Sequence, residues 1–429
     1  MKASKGYDIV GVGFGPCNLA LAIAIEEYNT RQPDRKLRVL FLEAKNEFDW
    51  YPYMMLPDSQ MQISFLKDLA TFRNPRSRFT FVNYLFEHQR LADFVNLKTF
   101  YPTRVEFADY LKWAAKNISL RVQYGSKVKK ICHEIDGLEI IYQSKDTGEK
   151  KVRTSNVVLA LGGRPKLPNL VRVSTRVFHS YHFLQSLDQV PDFKRGRIAV
   201  WGAGQSAAEI VAYLYETYPK IEVHVIFSGF GFCPSDSSPY NNRIFDAATI
   251  DKWFNAKEEV RAQFFKQNKH TNYSVVEEAL IRKLFGLEYQ ELVLGKKRLF
   301  IESASKVLQC KETSEGVSLT LQRLFTEKQV QLEVDCLVCA TGFQAPEWRK
   351  ILEQVKQYRF KDRLPETTRN YQLKSSESGQ GCPIYFNGGT EHLHGLSATL
   401  LSVTAARAEK ILNSILKQLE RSKARKSHG

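Results

Sequence analysis

Two short glycine-rich turns, about 190 residues apart, constrain this chain more than any other feature of it. The first, Gly11-Val12-Gly13-Phe14-Gly15-Pro16, follows the apolar run Tyr7-Asp8-Ile9-Val10. The second, Gly202-Ala203-Gly204-Gln205-Ser206-Ala207, follows Arg197-Ile198-Ala199-Val200-Trp201. Glycine lets the backbone turn tightly and approach a pyrophosphate, whose charge then rests on the N-terminus of the next helix. One such turn is a weak signal, because any tight strand-to-helix turn favours glycine. Two of them, each followed by a helical pattern, point to two dinucleotide sites, the arrangement in which a nicotinamide reduces a flavin. The expected fold class is α/β: two Rossmann-like units with a small substrate-binding region.

A chain of 429 residues, 43% of them apolar, has the length for two or three domains and enough apolar content for a real core. The pattern predicts a strand over residues 8–12 and a helix over 16–28, with Leu19, Ala20, Ile23 and Ala24 on one face and Pro16 in the first turn. A strand over 37–42 ends at Glu43, where an acid can accept hydrogen bonds from ribose hydroxyls; its spacing from the glycines exceeds the usual ~20 residues. Residues 50–120 leave the β–α alternation. They are dense in aromatic and basic side chains (Trp50, Tyr51, Tyr53, Phe65, Lys67, Phe72, Arg73), a natural place for a substrate pocket. Strands follow over 120–124, 128–135, 138–143 and 157–163. A new β–α unit opens near Gly196, with a helix over 206–215 and a strand over 222–226. The expected domains are therefore 1–190, an insertion at 191–333, and 334–429. In this reading the strand 336–340, with Thr341-Gly342-Phe343, returns to the first domain. A strand over 385–389 and a helix over 401–419 close the chain.

The net charge of +16 admits a nucleic-acid or anionic partner. No stripe of Lys and Arg interleaved with aromatics accompanies it, and the basic tail at 421–426 is expected to fray. A solvated surface with no nucleic-acid role is the better reading. The apolar runs are too short for a bilayer, and the N-terminus shows no secretion signal, so a soluble cytoplasmic protein is expected. Seven scattered cysteines suggest no disulfide framework. Cys336 and Cys339 could be a redox pair or half a metal site. They lie in an apolar strand, however, where side chains three apart point to opposite faces, and no metal site is expected.

Several stretches match one family closely: DIVGVGFGPCNLALA at 8–22, MQISFLKDL at 61–69, NLKTFYPTRVEFADY at 96–110, VWGAGQSAAE at 200–209, NKHTNYS at 268–274, ATGF at 340–343 and HGLSATLLSV at 394–403. By these the chain resembles the flavin-dependent N-hydroxylating monooxygenases of siderophore biosynthesis, most of all those acting on ornithine and lysine. The resemblance implies an FAD domain interrupted by an NADPH domain. Gly11, Gly13, Gly15, Pro16 and Asn18 then belong to the FAD turn, Glu43 takes the ribose, and Gln62 lies near the flavin. Gly202, Gly204, Gln205 and Ser206 hold the nicotinamide cofactor, with Thr341 and Gly342 beside the cofactors. Lys67 faces the substrate carboxylate, Asn242 and Asn272 bind its polar end, and Leu401 and Ser402 sit near the reacting amine. His179 and Ser180 match a structural turn of the family. The implied chemistry is attack by a neutral side-chain amine on a C4a-hydroperoxyflavin formed from O2. Relatives are often tetrameric, which implies a homo-oligomer.

Each of these residues also has a plainer reading: Lys67 as a surface lysine, Asn242 as a turn residue, Asn272 as a helix cap, Ser402 as a helix start. A cation at Lys67 favours a substrate with a carboxylate over a diamine such as putrescine or cadaverine. Ornithine is preferred to lysine on the closeness of the match. Three positions depart from the family pattern: Ala398 where Asp is usual, Tyr51 where histidine is common, and Ser228 where an arginine often approaches the adenosine of NADPH. Competing classes are another two-dinucleotide flavoenzyme, of Baeyer–Villiger or disulfide-reducing type, and a cofactor-bound sensor or scaffold. The F-x-G-x-x-x-H run that Baeyer–Villiger enzymes carry between the two units is absent from that stretch.

Overall fold

The structure is a computed structural model that describes residues 6–427 other than 135–136, 192, 194–195, 356, 363 and 377–381. Its frame is two parallel five-stranded sheets. The first runs in the order Ile384–Phe386, Val157–Leu159, Ile9–Val12, Val39–Leu42, Arg121–Gln123. Its central strands are apolar at every position because both faces are covered. The helices Pro16–Arg31 and Thr404–Ser427 pack on one face. On the other lie the antiparallel strands Ser126–Glu134, Gly137–Ser144 and Gly148–Thr154, together with the short helix Trp348–Leu352.

The second sheet repeats this plan in the order Leu299–Glu302, Glu222–Ile226, Arg197–Trp201, Cys336–Cys339, Val177–His179. The helices Gln205–Thr217 and Glu278–Leu294 cover one face. The antiparallel strands Ser305–Glu312, Val317–Arg323 and Gln329–Val334 cover the other. Cys336 belongs to the core of the first face and Cys339 to that of the second. They point apart, as a three-residue spacing on a strand requires. Burial raises both thiols, that of Cys339 to about 12, so neither is a ready thiolate.

The strand Cys336–Cys339 corrects the sequence expectation. It pairs with Arg197–Trp201, Cys336 opposite Ile198, and so lies in the second sheet instead of returning to the first. Val177–His179 joins the same sheet on its far side. The second unit therefore opens before residue 191 and closes after residue 333. The chain crosses between units at Arg164–Pro165 and Phe343–Gln344, which pair antiparallel. An apolar strand ending in a glycine turn looks the same in either sheet, so its pattern carries no information about which one it joins. The C-terminal helix also differs. It starts at Thr404, after a 3-10 turn at Leu401–Val403, and continues through the basic tail to Ser427.

Residues 50–120 form helices Phe81–Glu87, Leu91–Asn96 and Arg104–Asn117. Thr80 and Thr103 cap two of them by accepting from the amides of Asn83 and Glu106. Phe81, Tyr84, Phe107 and Tyr110 anchor them to the first core. From the start of the third, Arg104 reaches the second unit. Its guanidinium donates to both carboxylate oxygens of Glu209, at 2.9 and 2.7 Å, and to the carbonyl of Met54 at 3.0 Å. Both side chains are largely buried, Glu209 at 5% exposure. Breaking a buried pair on one side strands the other charge at a cost of about 3–5 kcal/mol, more than the intact pair contributes. We expect Arg104→Met and Glu209→Gln each to lower the apparent Tm by several degrees, and the double change to lose less than the sum. Calorimetric scans of the four proteins measure this, and strict additivity would contradict it.

Candidate functional site

Both glycine turns hold their strands against a neighbouring backbone. Gly13 has φ +83°, and a Cβ there would lie 2.3 Å from the carbonyl oxygen of Ala160. A Cβ on Gly202 would meet the carbonyl oxygen of Ala340 at the same 2.3 Å. Gly15 is different: nothing stands within 4 Å of the position its Cβ would take. It opens, with Pro16, onto a cavity of about 1590 Å³. That exceeds the ~300–1,000 Å³ of an ordinary small-ligand site. Gly202, Gly204, Gln205, Ser206, Thr341 and Gly342 line the same cavity from the second unit. The two turns therefore face one shared space at the N-termini of helices Pro16–Arg31 and Gln205–Thr217. Backbone donors and helix dipoles there suit anionic ligands.

The remaining residues expected at the first turn, Gly11, Gly13, Asn18 and Glu43, surround it but are not part of the cavity wall. Glu43 accepts from the amides of Phe14 at 2.6 Å and Lys45 at 2.8 Å, so its carboxylate sits at the mouth of the turn. Gly11 faces the ring of Phe41, and Asn18 is fully buried, donating to the carbonyl of Gly13 at 2.7 Å. On the second turn, Gln205 is fixed at both ends. Its amide nitrogen donates to Glu209 at 3.1 Å and its oxygen accepts from the amide of Glu277 at 2.9 Å. His179 accepts from the amide of Tyr181 at Nδ1, so Nε2 carries the proton and donates to the carbonyl of Gly342 at 2.9 Å. That is a structural role: it fixes the Thr341-Gly342 turn from the neighbouring strand.

Of the residues expected around a substrate, Gln62 and Asn272 lie in the cavity wall. Lys67, Asn242, Leu401 and Ser402 do not form part of that wall. Lys67 is half-buried on a turn closed by its own amide and the carbonyl of Ser64, 2.8 Å apart. Asn242 sits in the 3-10 segment Asn241–Phe245, where its side chain donates to the carbonyl of Ser237 at 2.9 Å. This segment packs on the turn Leu396–Thr399. Leu401 is half-buried against the first core. Ser402 is 8% exposed, and its hydroxyl has no hydrogen-bond partner. A buried hydroxyl left open in this way costs free energy unless a ligand or water completes it.

Other residues at the site were given no role from the sequence. The Tyr273 hydroxyl and the Thr399 hydroxyl both donate to the Glu391 carboxylate, tying the loop after Asn272 to the C-terminal segment. Burial, then the Glu391 charge, pushes the Tyr273 hydroxyl well up. Asn387, with Gly388 and Gly389, forms a further glycine-bearing turn in the cavity wall, directly after strand Ile384–Phe386. An apolar run ending in Asn-Gly-Gly was the available hint. Of the three departures from the family pattern, Ala398 is fully buried and Ser228 is exposed just beyond Glu222–Ile226. Tyr51 lines the cavity at φ 51°, packed edge-on against Trp50, Tyr181 and Phe343. Burial pushes its hydroxyl up to about 12, so it stays protonated.

A cavity lined by two helix N-termini and open glycines has the shape and polarity for two dinucleotides. Among the described residues, no group of three or more His, Cys, Asp or Glu is placed to hold a metal ion, and no helix is long and apolar enough to cross a membrane. Comparison with known proteins agrees with this geometry. The profile of the family described as L-lysine 6-monooxygenase/L-ornithine 5-monooxygenase matches residues 5–345. An L-ornithine N(5)-monooxygenase of Pseudomonas aeruginosa is 36% identical, covering 96% of this chain and 94% of that protein. An L-ornithine N(5)-oxygenase of Arthrobotrys oligospora is 38% identical, covering 96% and 89%. The ornithine N-hydroxylase of Kutzneria sp. 744, solved with reduced FAD, NADP+ and L-ornithine, superposes with a TM-score of 0.92 at 37% identity, over 96% of this chain and 100% of that one. By its family profile, its near-full-length relatives and its two facing glycine turns, the chain belongs to the L-lysine 6-monooxygenase/L-ornithine 5-monooxygenase family.

Proposed function

We propose that the protein is an FAD- and NADPH-dependent monooxygenase that hydroxylates the side-chain amine of L-ornithine. The observation that carries this reading is the single cavity shared by both glycine turns, Gln62 and Asn272. FAD belongs on the turn at residues 11–16, with Glu43 at its ribose, and supplies oxygen activation when bound. NADPH belongs on the turn at residues 202–206. The chain's own part is to bind, orient and exclude water. Lys67 meets the substrate carboxylate through a charge-assisted hydrogen bond, Asn242 and Asn272 take its polar end, and Ser402 and the backbone at Leu401 adjoin the reacting amine. The open Ser402 hydroxyl supports that placement. The protein works as a homo-oligomer in the cytoplasm, and its hydroxylated product suits a hydroxamate siderophore.

The test is a hydroxylamine assay on the purified protein with FAD and NADPH. It compares ornithine, lysine, putrescine and cadaverine, with hydrogen peroxide recorded alongside. Product from ornithine is expected to exceed that from lysine by about 10–200-fold, the range set by one methylene. Product from a diamine alone would overturn the carboxylate role of Lys67. The substrate's own protonation decides the pH response. An amine of pKa ~10.4 is neutral about once in 2,500 molecules at pH 7, a deficit of roughly 4.6 kcal/mol. Burial lowers that pKa and offsets much of the deficit. The rate is therefore expected to rise with pH toward about 8–9, and a rate flat from pH 6 to 9 would contradict it.

Two substitutions separate the parts. Lys67→Met is expected to raise KM for ornithine about 10–100-fold with a smaller change in kcat, the loss of one hydrogen bond to a charged group; an unchanged KM would remove Lys67 from the site. Gly202→Ala forces a Cβ to 2.3 Å from the carbonyl of Ala340. We expect it to weaken NADPH binding about tenfold or more while the protein retains its FAD, measured by flavin reduction under nitrogen. Loss of FAD with NADPH affinity intact would reverse the assignment of the two turns.

A further inference from the structure

The C-terminal helix Thr404–Ser427 carries in its first turn the largest fully buried side chain among the described residues, that of Arg407. Its Nε donates to Oδ1 of Asn387 at 2.9 Å. One terminal nitrogen donates to the carbonyl of Ala398; the other reaches Sγ of Cys17 at 3.1 Å and the hydroxyl of Thr404 at 3.4 Å. None of these partners is a carboxylate, and no ion pair of the described residues includes Arg407. Three effects oppose a cation in this place. It is desolvated without a counter-ion. It lies in the first turn of its own helix, where the macrodipole is positive. Through Cys17 it also touches the N-terminal turn of helix Pro16–Arg31, a second positive helix end. An anion at the same point would relieve all three. Two of its partners, Cys17 and Asn387, line the cavity. Asn387 in turn donates to the carbonyl of Cys17 at 2.9 Å and to Oδ1 of Asn18 at 3.1 Å, and Asn18 holds the carbonyl of Gly13.

Resting on the reading that FAD occupies the turn at residues 11–16, we propose that Arg407 is the buried countercharge of the FAD pyrophosphate and, through Asn387 and Asn18, positions the turn that binds it. Its fully buried guanidinium acts from beneath the cavity wall, so it is a positioning residue and not a catalytic one. The chain thereby stores an unfavourable charge in the apoprotein that the dinucleotide neutralises. Arginine is suited to this because its planar fork can hold several acceptors at once while remaining charged.

The experiment measures binding and stability instead of turnover. Apoprotein is titrated with FAD and with ADP, which carries a pyrophosphate but no isoalloxazine, and thermal scans are run with and without FAD. In Arg407→Met the dissociation constants for both FAD and ADP are expected to rise about tenfold or more, roughly 1.4 kcal/mol. The stabilisation by FAD should shrink by more than the apoprotein loses. Arg407→Lys, which can keep the charge but not the fork that holds Asn387, should recover only part of the affinity for both ligands that Arg407→Met loses. Thr404→Asp sets a carboxylate against the guanidinium at nearly constant volume, from outside the cavity wall and in the first turn of the helix, where a negative charge suits the dipole. There the apoprotein Tm should hold or rise while ADP affinity falls about tenfold, a combination that damage to the fold cannot produce. Equal loss of Tm with and without FAD, at unchanged dissociation constants, overturns the proposal. So does loss of FAD affinity with ADP affinity intact, and so does wild-type ADP affinity in Thr404→Asp. Wild-type apoprotein that binds ADP but no flavin would sink the functional reading and leave the role of Arg407 standing. Binding of neither would overturn both.

Discussion

The bidentate pair between Arg104 and Glu209 connects the two halves of the site. Arg104 begins the helix Arg104–Asn117, and its amide donates to the carbonyl of Ser59, just before Gln62 on the flavin side of the cavity. Glu209 lies one turn into the helix that begins at Gln205, and it also accepts from the Gln205 side chain. One buried ion pair thus fixes the wall carrying Gln62 relative to the helix end on which the second dinucleotide would rest. Two independently folded nucleotide-binding units have no intrinsic reason to face each other at a set distance, and hydride transfer requires that they do. A buried pair is an expensive way to hold two surfaces, but it is directional. Its geometry is satisfied in one relative orientation only.

The two units share a further constraint. In each, the strand before the glycine turn lies so close to the end of a neighbouring strand, at Ala160 and at Ala340, that no side chain fits between. Both neighbouring strands then run into a glycine turn, Gly162-Gly163 and Gly342, and the segments beyond pair with each other as Arg164–Pro165 and Phe343–Gln344. The chain thus leaves and re-enters the first unit through one two-stranded connection. His179 reinforces it by bonding Gly342 from the adjacent strand.

Most of this frame was legible in the sequence because it is local. Periodicity located the helices behind both turns within a few residues, since Leu19, Ala20, Ile23 and Ala24 can share a face only in a helix. The strand Glu222–Ile226 and the opposed cysteines followed from the two-residue period of a strand. What failed was assignment at a distance. Cys336–Cys339 is equally apolar whether it lies in one sheet or the other, and only its partner, Ile198 to Trp201, decides. Within the site, the glycine turns were visible because each directly follows an apolar strand and precedes a helix. Arg407 was not: in Ala405-Ala406-Arg407 it reads as a surface cation of an amphipathic helix. Its burial depends on Cys17, 390 positions away, and on Asn387. The Glu391 clamp on Tyr273 and Thr399 was hidden for the same reason.

The titratable groups near the C-terminal segment support a division of labour between protein and substrate. His394 is fully buried, stacked on Tyr371 with ring centroids 4.0 Å apart. Burial, with Arg369 and Arg407 nearby, pushes its imidazole down to about 3, so it remains neutral across the working range. Burial also lowers His392, which bonds the carbonyl of Pro365. The Tyr273 hydroxyl is committed to Glu391 and held protonated. These groups keep one protonation state each through neutral pH; the Tyr273 hydroxyl and Nε2 of His392 are already bonded, while Nδ1 of His394 has no partner among the described residues and is fully buried. A proton on an incoming amine is therefore better lost to solvent on entry into the partly apolar pocket, where desolvation disfavours the ammonium, than transferred to a side chain built for the purpose. A site that selects the neutral amine by desolvation needs shape and fixed dipoles, the parts that a rigid two-unit frame supplies.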